Sequence, residues 1–451
     1  MRLFSVERRP WPERGFVALA WPSLVENVLL TTMGIISMMM VARLGAAAMA
    51  GVGAANQVMN LLIVVFSGLS VGTTALVARR VGAGDRAGAR TTLGQSLGLG
   101  ILLGLAVAVL GVAAADPVLR LMGAAPEVAR EGATYLRGVM ASTPLLAVML
   151  IGNGSLRGSG DTRTPMGITA VANAANVVVA YPLIFGIAGL PSLGVAGAAC
   201  GVAAARLVGC YLVLRSLGEA RSVSPLDLLR KWRPDASVLR PLASIGGPAA
   251  GEFGSIQLGM MLFSLIVISL GTSAFAAQQI VFNAANLSMM PGMAFSVAAT
   301  TLVGQALGAS SPSQAERSGW MGALSAAGWM SAMGAVFVIF PEQICALYTS
   351  DPEVVRLGAI GLRVVGFGQP LQGVAFALAG ALRGAGDTRT TFRIATVSMW
   401  IIRLPVAYVL GVLAGLAVTG VWLGWVSDWS FRSVLYGRAF RRGAWKALRV
   451  Q

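Results

Sequence analysis

Apolar positions along this chain do not alternate with polar ones at a short period. They gather into long runs separated by short polar gaps. The runs fall at 16–40, 47–80, 90–115, 128–153, 165–187, 194–217, 238–269, 273–305, 316–340, 354–379, 391–413 and 417–437. Each reaches the roughly 20 residues that cross about 30 Å of hydrocarbon as a helix. In lipid the backbone must satisfy its own polar groups, so such runs predict helices. The expected fold class is an all-α integral membrane protein with twelve transmembrane helices. Composition agrees, because 56% hydrophobic and 12% charged side chains, with a mean hydropathy of +0.75, cannot coat a soluble domain of 451 residues. No small-residue cleavage site follows the first run, so it is expected to remain as a helix rather than act as a signal peptide.

The net charge of +16 raises nucleic acid as a partner, but no soluble domain is left to carry a binding face. The distribution fits the positive-inside rule instead. With a cytoplasmic N-terminus, the inner loops collect Arg2, Arg8, Arg9, Arg14, Arg79, Arg80, Arg86 and Arg90, and the linker and C-terminal tail are equally basic. The outer loops hold Arg43, Arg120, Arg130, Arg137, Arg356, Arg363 and Arg403. The expectation is a multi-pass protein of the cell membrane with both termini cytoplasmic, partnered by the lipid bilayer and by no nucleic acid. Cys200, Cys210 and Cys345 show no paired spacing, so buried structural thiols are expected, with neither disulfide nor metal site. With no histidine in the chain, proton chemistry falls to carboxylates. No P-loop and no catalytic constellation appears, so neither an enzyme nor a resident cofactor is expected.

Two phrases repeat: GSLRGSGDTRT at 154–164 and GALRGAGDTRT at 380–390. The same shift of 226 residues carries Pro22 to Pro248, Glu26 to Glu252, Thr74 to Thr300, Arg137 to Arg363, Pro144 to Pro370 and Gly194 to Gly420. The chain therefore reads as a cytoplasmic N-terminal tail (1–15), an N-lobe (16–217), a cytoplasmic linker (218–237), a C-lobe (238–437) and a basic cytoplasmic tail (438–451). Six spans per half is an even number, so the halves enter the membrane from the same side. That is the parallel-repeat plan of many secondary transporters, whose site lies between the halves.

The stretches PSLVENVLLTTMGIISMMMVARLGAAAMAGVG, VGTTALVARRVGAGD, LRGSGDTRTPM, NVVVAYPLIFGIAGLPSLGVAGAA, ATTLVGQALGAS, LRGAGDTRT and IIRLPVAYVL resemble the multidrug and toxic compound extrusion family, over about residues 16 to 440. The resemblance implies two six-helix lobes around a V-shaped cavity, and export of cationic amphipathic compounds in exchange for protons or sodium ions. It also exposes departures. The family's first-helix aspartate falls on Ser37 and a fifth-helix acidic position on Ala180, while the acidic positions that some members carry in the seventh and tenth helices fall on Gln257 and Gln372. The family's asparagines in the fourth and fifth helices are matched by Asn153 and Asn176. A sodium site built of several carboxylates, which a hard cation favours, loses its ligands here.

The carboxylates that remain inside the spans are Glu26 and Glu252. Glu26 lies twelve residues beyond Arg14, about 18 Å along a helix and near mid-membrane. An ionisable group there faces a wet cavity or a partner. Desolvation raises a carboxyl pKa, so both glutamates are ion-coupling candidates, with the proton as coupling ion and sodium as the alternative. A structural alternative is a hydrogen bond to a neighbouring helix near Pro22 or Pro248. Asn56, Asn60, Asn173, Asn283, Asn286, Gln257 and Gln372 are amides in apolar runs, candidates for cavity lining or for interhelical bonds. Met33 and Met290 are candidates for an adaptable binding surface or for core. In the repeated phrase, Arg157 with Asp161 and Arg383 with Asp387 read as pairs across a tight connector, with Thr164 capping the next helix. A P-loop-like reading fails for lack of the Gly-Lys-Ser/Thr ending. Asp428 and Arg432, four apart, read as a local ion pair. The expected activity is multidrug efflux by a monomer through alternating access. A flippase for a lipid-linked oligosaccharide is the alternative, disfavoured because its pyrophosphate calls for cavity arginines.

Overall fold

The computed structural model describes residues 16–187, 189, 191–219 and 232–448. The N-terminal tail, linker residues 220–231 and the last three residues lie outside the described residues. Helices α1 (Phe16–Ala42), α2 (Ala46–Gly82), α3 (Arg86–Leu121), α4 (Pro126–Ala141), α5 (Thr143–Gly158), α6 (Arg163–Phe185) and α7 (Val195–Glu219) form the first half. The second half holds α8 (Ala236–Ile268), α9 (Thr272–Gly308), α10 (Pro312–Ile339), the short α11 (Pro341–Ala346) and α12 (Pro352–Gly384). It continues with α13 (Thr388–Val397), a π-helical turn (Ser398–Arg403), α14 (Leu404–Tyr408), a second π turn (Val409–Leu413) and α15 (Ala417–Arg442). Among the described residues no strand occurs. Ten helices among the described residues are long and apolar enough to span, counting Thr388–Leu413 as one, and α4 with α5 makes an eleventh, bent by 53°. The twelfth expected span is α15, which carries Asp428 and Arg432 inside the protein and so reads as less apolar than its neighbours.

The bend between α4 and α5 was not expected within the run 128–153. Pro144 has no N–H and crowds the preceding turn, which frees carbonyls there. Arg206 of α7, itself buried, braces the break: it donates to the Val139 carbonyl at 2.6 Å and to the Ser142 hydroxyl at 2.8 Å. In the second half, α12 runs unbroken past Pro370.

The duplication is visible as repeated interactions. Thr74 donates to the Gly154 carbonyl at 3.0 Å and Thr300 to that of Gly380 at 2.8 Å. Asp116 with Arg137 recurs as Glu342 with Arg363. The halves also exchange packing: α8 lies on α2, and the start of α1 lies in the second half's core, where Phe16 stacks on Phe295 at 5.7 Å. Small residues set these crossings, as packing in lipid requires.

At one end of the bundle, the end of the loops around Gly84, Gly160 and Gly386, α2 and α9 meet. A Cβ on Gly82 would stand 2.0 Å from the Gln305 carbonyl oxygen, and one on Gly308 would stand 1.9 Å from that of Arg79. The Gln305 amide donates to the Gly158 carbonyl at 2.9 Å, and Thr301 to that of Arg157 at 3.0 Å. This end is closed. Gly308→Ala is expected to force the two backbones apart at a cost of about 1–3 kcal/mol, the scale of overpacking, and so to populate a form open at this end. Distances between spin labels at positions 84 and 310 would lengthen; an unchanged distribution would contradict the closure. Beside this contact Asp85 caps α3, and the Gly88 amide and then the Arg80 side chain hold its carboxyl below the usual range.

Candidate functional site

Glu26 and Glu252 are both buried, at 5% and 1% exposure, and both are paired. Arg157 at the end of α5 places Nη1 3.1 and 3.2 Å from the two Glu26 oxygens. Arg383 at the end of α12 donates to Glu252 at 2.5 Å, and the Thr391 hydroxyl of α13 donates to the other oxygen at 2.8 Å. These arginines belong to the repeated phrase, so the reading of that phrase as a connector with internal Arg–Asp pairs is corrected. Asp161 instead accepts from the Arg163 and Thr164 amides and from the Thr164 hydroxyl, and Asp387 accepts from the Thr390 amide. The cap of α6 is thus supplied by Asp161, not by Thr164. The physical reason is a division of partners: orphan amides at a helix start suit a half-buried aspartate, whereas a fully buried carboxylate needs a counter-charge.

A second cluster lies in α15 and the first π turn. Asp428, with no exposed surface, accepts from Arg432 Nε at 2.8 Å and from Arg403 and the Ser398 hydroxyl at shorter range. Arg403 was expected in an outer loop; it is 2% exposed, with its guanidinium 4.1 Å from the centre of the Trp425 ring. Arg432 lies 4.9 Å from that of Trp429. The sequence spacing found the Asp428–Arg432 pair but not Arg403, because an irregular turn sets its position. Cys200 likewise departs from expectation: it is exposed on α7 rather than buried.

A cavity of about 610 Å³ connects the two clusters. It runs along α9 from Gln279 to Thr300, about 31 Å at helical rise, with Ser70, Thr74, Arg157 and Asn27 reaching it from the first half. Of the sequence candidates, Glu252, Asn283, Asn286, Arg157 and Arg383 line it. Glu26 stands behind Arg157. Gln372 is fully buried beside the cavity's helices with neither amide atom bonded, and Met290, Asn153 and Asn176 are packed outside the lining. Asn173 donates to the Leu29 carbonyl at 2.8 Å, an interhelical bond. Asn56, Asn60 and Gln257 are exposed, and Met33 and Ser37 half-buried, none of them on this cavity. Sequence reasoning missed Asn27, Arg403, Trp425 and Trp429. The run of charge and tryptophan in WLGWVSDWSFR, unlike the alanines and glycines of the first half's VAGAACGVAAAR, was the available signal.

Charge balance decides what the cavity offers. Four arginines (Arg157, Arg383, Arg403, Arg432) meet three carboxylates (Glu26, Glu252, Asp428). One positive charge is left over.

The MatE family profile matches residues 22–182 and 248–409, one segment in each half. The probable multidrug resistance protein NorM of Thermotoga maritima is 31% identical over 446 residues, covering 98% of this chain and 94% of that one. The multidrug resistance protein PmpM of Pseudomonas aeruginosa is 29% identical, covering 88% of this chain and 84% of its own. A crystal structure of MATE in the bent conformation superposes with a TM-score of 0.89 at 23% identity over 98% of this chain and 96% of that one. A superfamily transporter of Pyrococcus furiosus, described as having a binding pocket of reversed polarity, also scores 0.89 at 23% identity, over 99% and 98%. With both halves matched and a relative aligned nearly end to end, this multi-pass membrane protein belongs to the MatE family of multidrug and toxic compound extrusion transporters.

Proposed function

We propose that the protein is a secondary exporter of small amphipathic molecules that works by alternating access between two lobes and is driven by protons taken up at Glu26 and Glu252. The observation that carries this is the pair of buried Glu–Arg contacts, each tying the first helix of a half to the end of a later one, next to a cavity closed at one end. Protonating a glutamate removes its charge, releases its arginine and so biases a two-state arrangement of helices, which is what ion coupling requires. The named multidrug relatives support the substrate class. The resemblance implies cationic compounds, and Glu26 and Glu252 add no separate support for that preference because each is already met by arginine. The arginines also touch on the flippase reading, but three of four are neutralised, and one excess charge is a poor match for a pyrophosphate. The test is resistance profiling: an efflux-deficient bacterial strain expressing the chain should show raised minimum inhibitory concentrations for amphipathic dyes and antibiotics. No change for any compound, with the protein present in the membrane, overturns the exporter reading.

A further inference from the structure

The leftover charge sits at Arg403 and Arg432, and the wall around them is short of acceptors. Four buried polar atoms on cavity-lining residues have no partner among the described residues: Arg403 Nε, Arg383 Nε, Trp425 Nε1 and Trp429 Nε1. All four are donors. A buried donor left unmade is costly, so a small side-chain turn that brings any of them to the cavity surface is favoured by a group rich in lone pairs there.

The backbone shows that this cluster is particular to the second half. A Cβ on Gly201 of α7 would meet the Asn176 carbonyl and Ala180, and one on Gly424 of α15 would meet the Arg403 carbonyl and Ala407. Matching these two crossings, whose glycines are 223 residues apart, sets Arg403 against Asn176, 227 apart, so the 226 register does not hold through the last two helices of each half. The π turn Ser398–Arg403 lies in this stretch. Single π turns inside α-helices concentrate at functional sites, where they re-aim side chains. The matching first-half segments, NVVVAYPL in α6 and VAGAACGVAAAR in α7, contain no acidic residue and no tryptophan. A role in holding the fold alone would not require the cluster in one half of a duplicated protein.

We propose that the second half's cavity binds a carboxylate-bearing aromatic amphipath, its carboxylate against Arg403 and Arg432 and its rings against Trp425, Trp429 and Phe376. One net positive charge matches a monoanion, and planar guanidiniums bind carboxylates well. A volume of about 610 Å³ lies in the range that encloses one drug-sized molecule. The inference names the substrate class for the proposed exporter and rests on this cavity being its substrate site.

The test is equilibrium calorimetry on the full chain in phosphatidylcholine nanodiscs with three probes of one shape: 2-naphthoate, 2-naphthamide and 2-naphthylmethylammonium. No ion gradient is present, so the binding result stands apart from any failure of proton-driven export. Naphthoate is expected to bind about tenfold or more tighter than naphthamide, the scale of a charge-assisted hydrogen bond, and the ammonium weakest. Arg403→Gln should remove the advantage of naphthoate over naphthamide. If that variant does not fold, Trp429→Phe, which removes one donor and keeps an aromatic face, should narrow the difference between naphthoate and naphthamide. Adding phosphatidylglycerol should change nothing. The proposal is overturned if the ammonium binds as tightly as naphthoate, if naphthoate keeps its advantage in the folded variants, or if phosphatidylglycerol abolishes it and so identifies a lipid phosphate as the anion.

Discussion

Asp428→Ala is expected to lower stability by about 3–5 kcal/mol, the cost of breaking a buried ion pair from one side. Asp428 has no exposed surface and is the shared acceptor for Arg403, Arg432 and Ser398. Removing it leaves two guanidiniums facing each other among Trp425 and Trp429 with no counter-ion. Replacing all three charges, Arg403→Met with Asp428→Leu and Arg432→Leu, should restore most of the loss, because apolar residues of similar volume substitute for buried ionic triads at little or no cost. Equilibrium unfolding in mixed micelles measures both. A single variant as stable as wild type would show that the triad is not formed as described.

Glu252→Gln is expected to abolish pH-gradient-driven export while leaving substrate binding in place. Glutamine has the shape of the protonated acid and keeps that state permanently, so Arg383 loses its counter-charge in every state and the proton has nothing to bind. Glu26→Gln should have the smaller effect. Glu252 lines the cavity, where substrate and proton can compete, whereas Glu26 lies behind Arg157 and reaches the cavity only through it.

Much of the fold was legible because hydrocarbon thickness constrains sequence strongly. Runs of apolar residues marked all twelve spans, the last of them 417–437 even though it holds Asp428 and Arg432. The break at Ser142 was not legible: Pro144 and Pro370 look alike in sequence, yet only the first accompanies a bend, which Arg206 from α7 supports. The site was half legible. Position along a helix identified Glu26 and Glu252 as mid-membrane, but their partners lie 131 residues further on, in a phrase whose glycines and aspartates suggested a turn. A long arginine side chain can leave a helix end and reach back into the bundle, and periodicity carries no information about that. The reading of Arg403 as a loop residue failed for a related reason. A constant offset between the halves hides a local change of register, which becomes visible only in the packing of Gly424 against Arg403 and Ala407, next to the π turn.

Export by reconstituted protein, with proton and sodium gradients imposed separately across the same proteoliposomes, tests the central claim most directly. Coupling through Glu26 and Glu252 predicts that a proton gradient alone drives export by the wild type, that a sodium gradient alone does not, and that the Glu26→Gln, Glu252→Gln double variant is silent under both. Export driven by sodium alone, or proton-driven export that survives in the double variant, would contradict it.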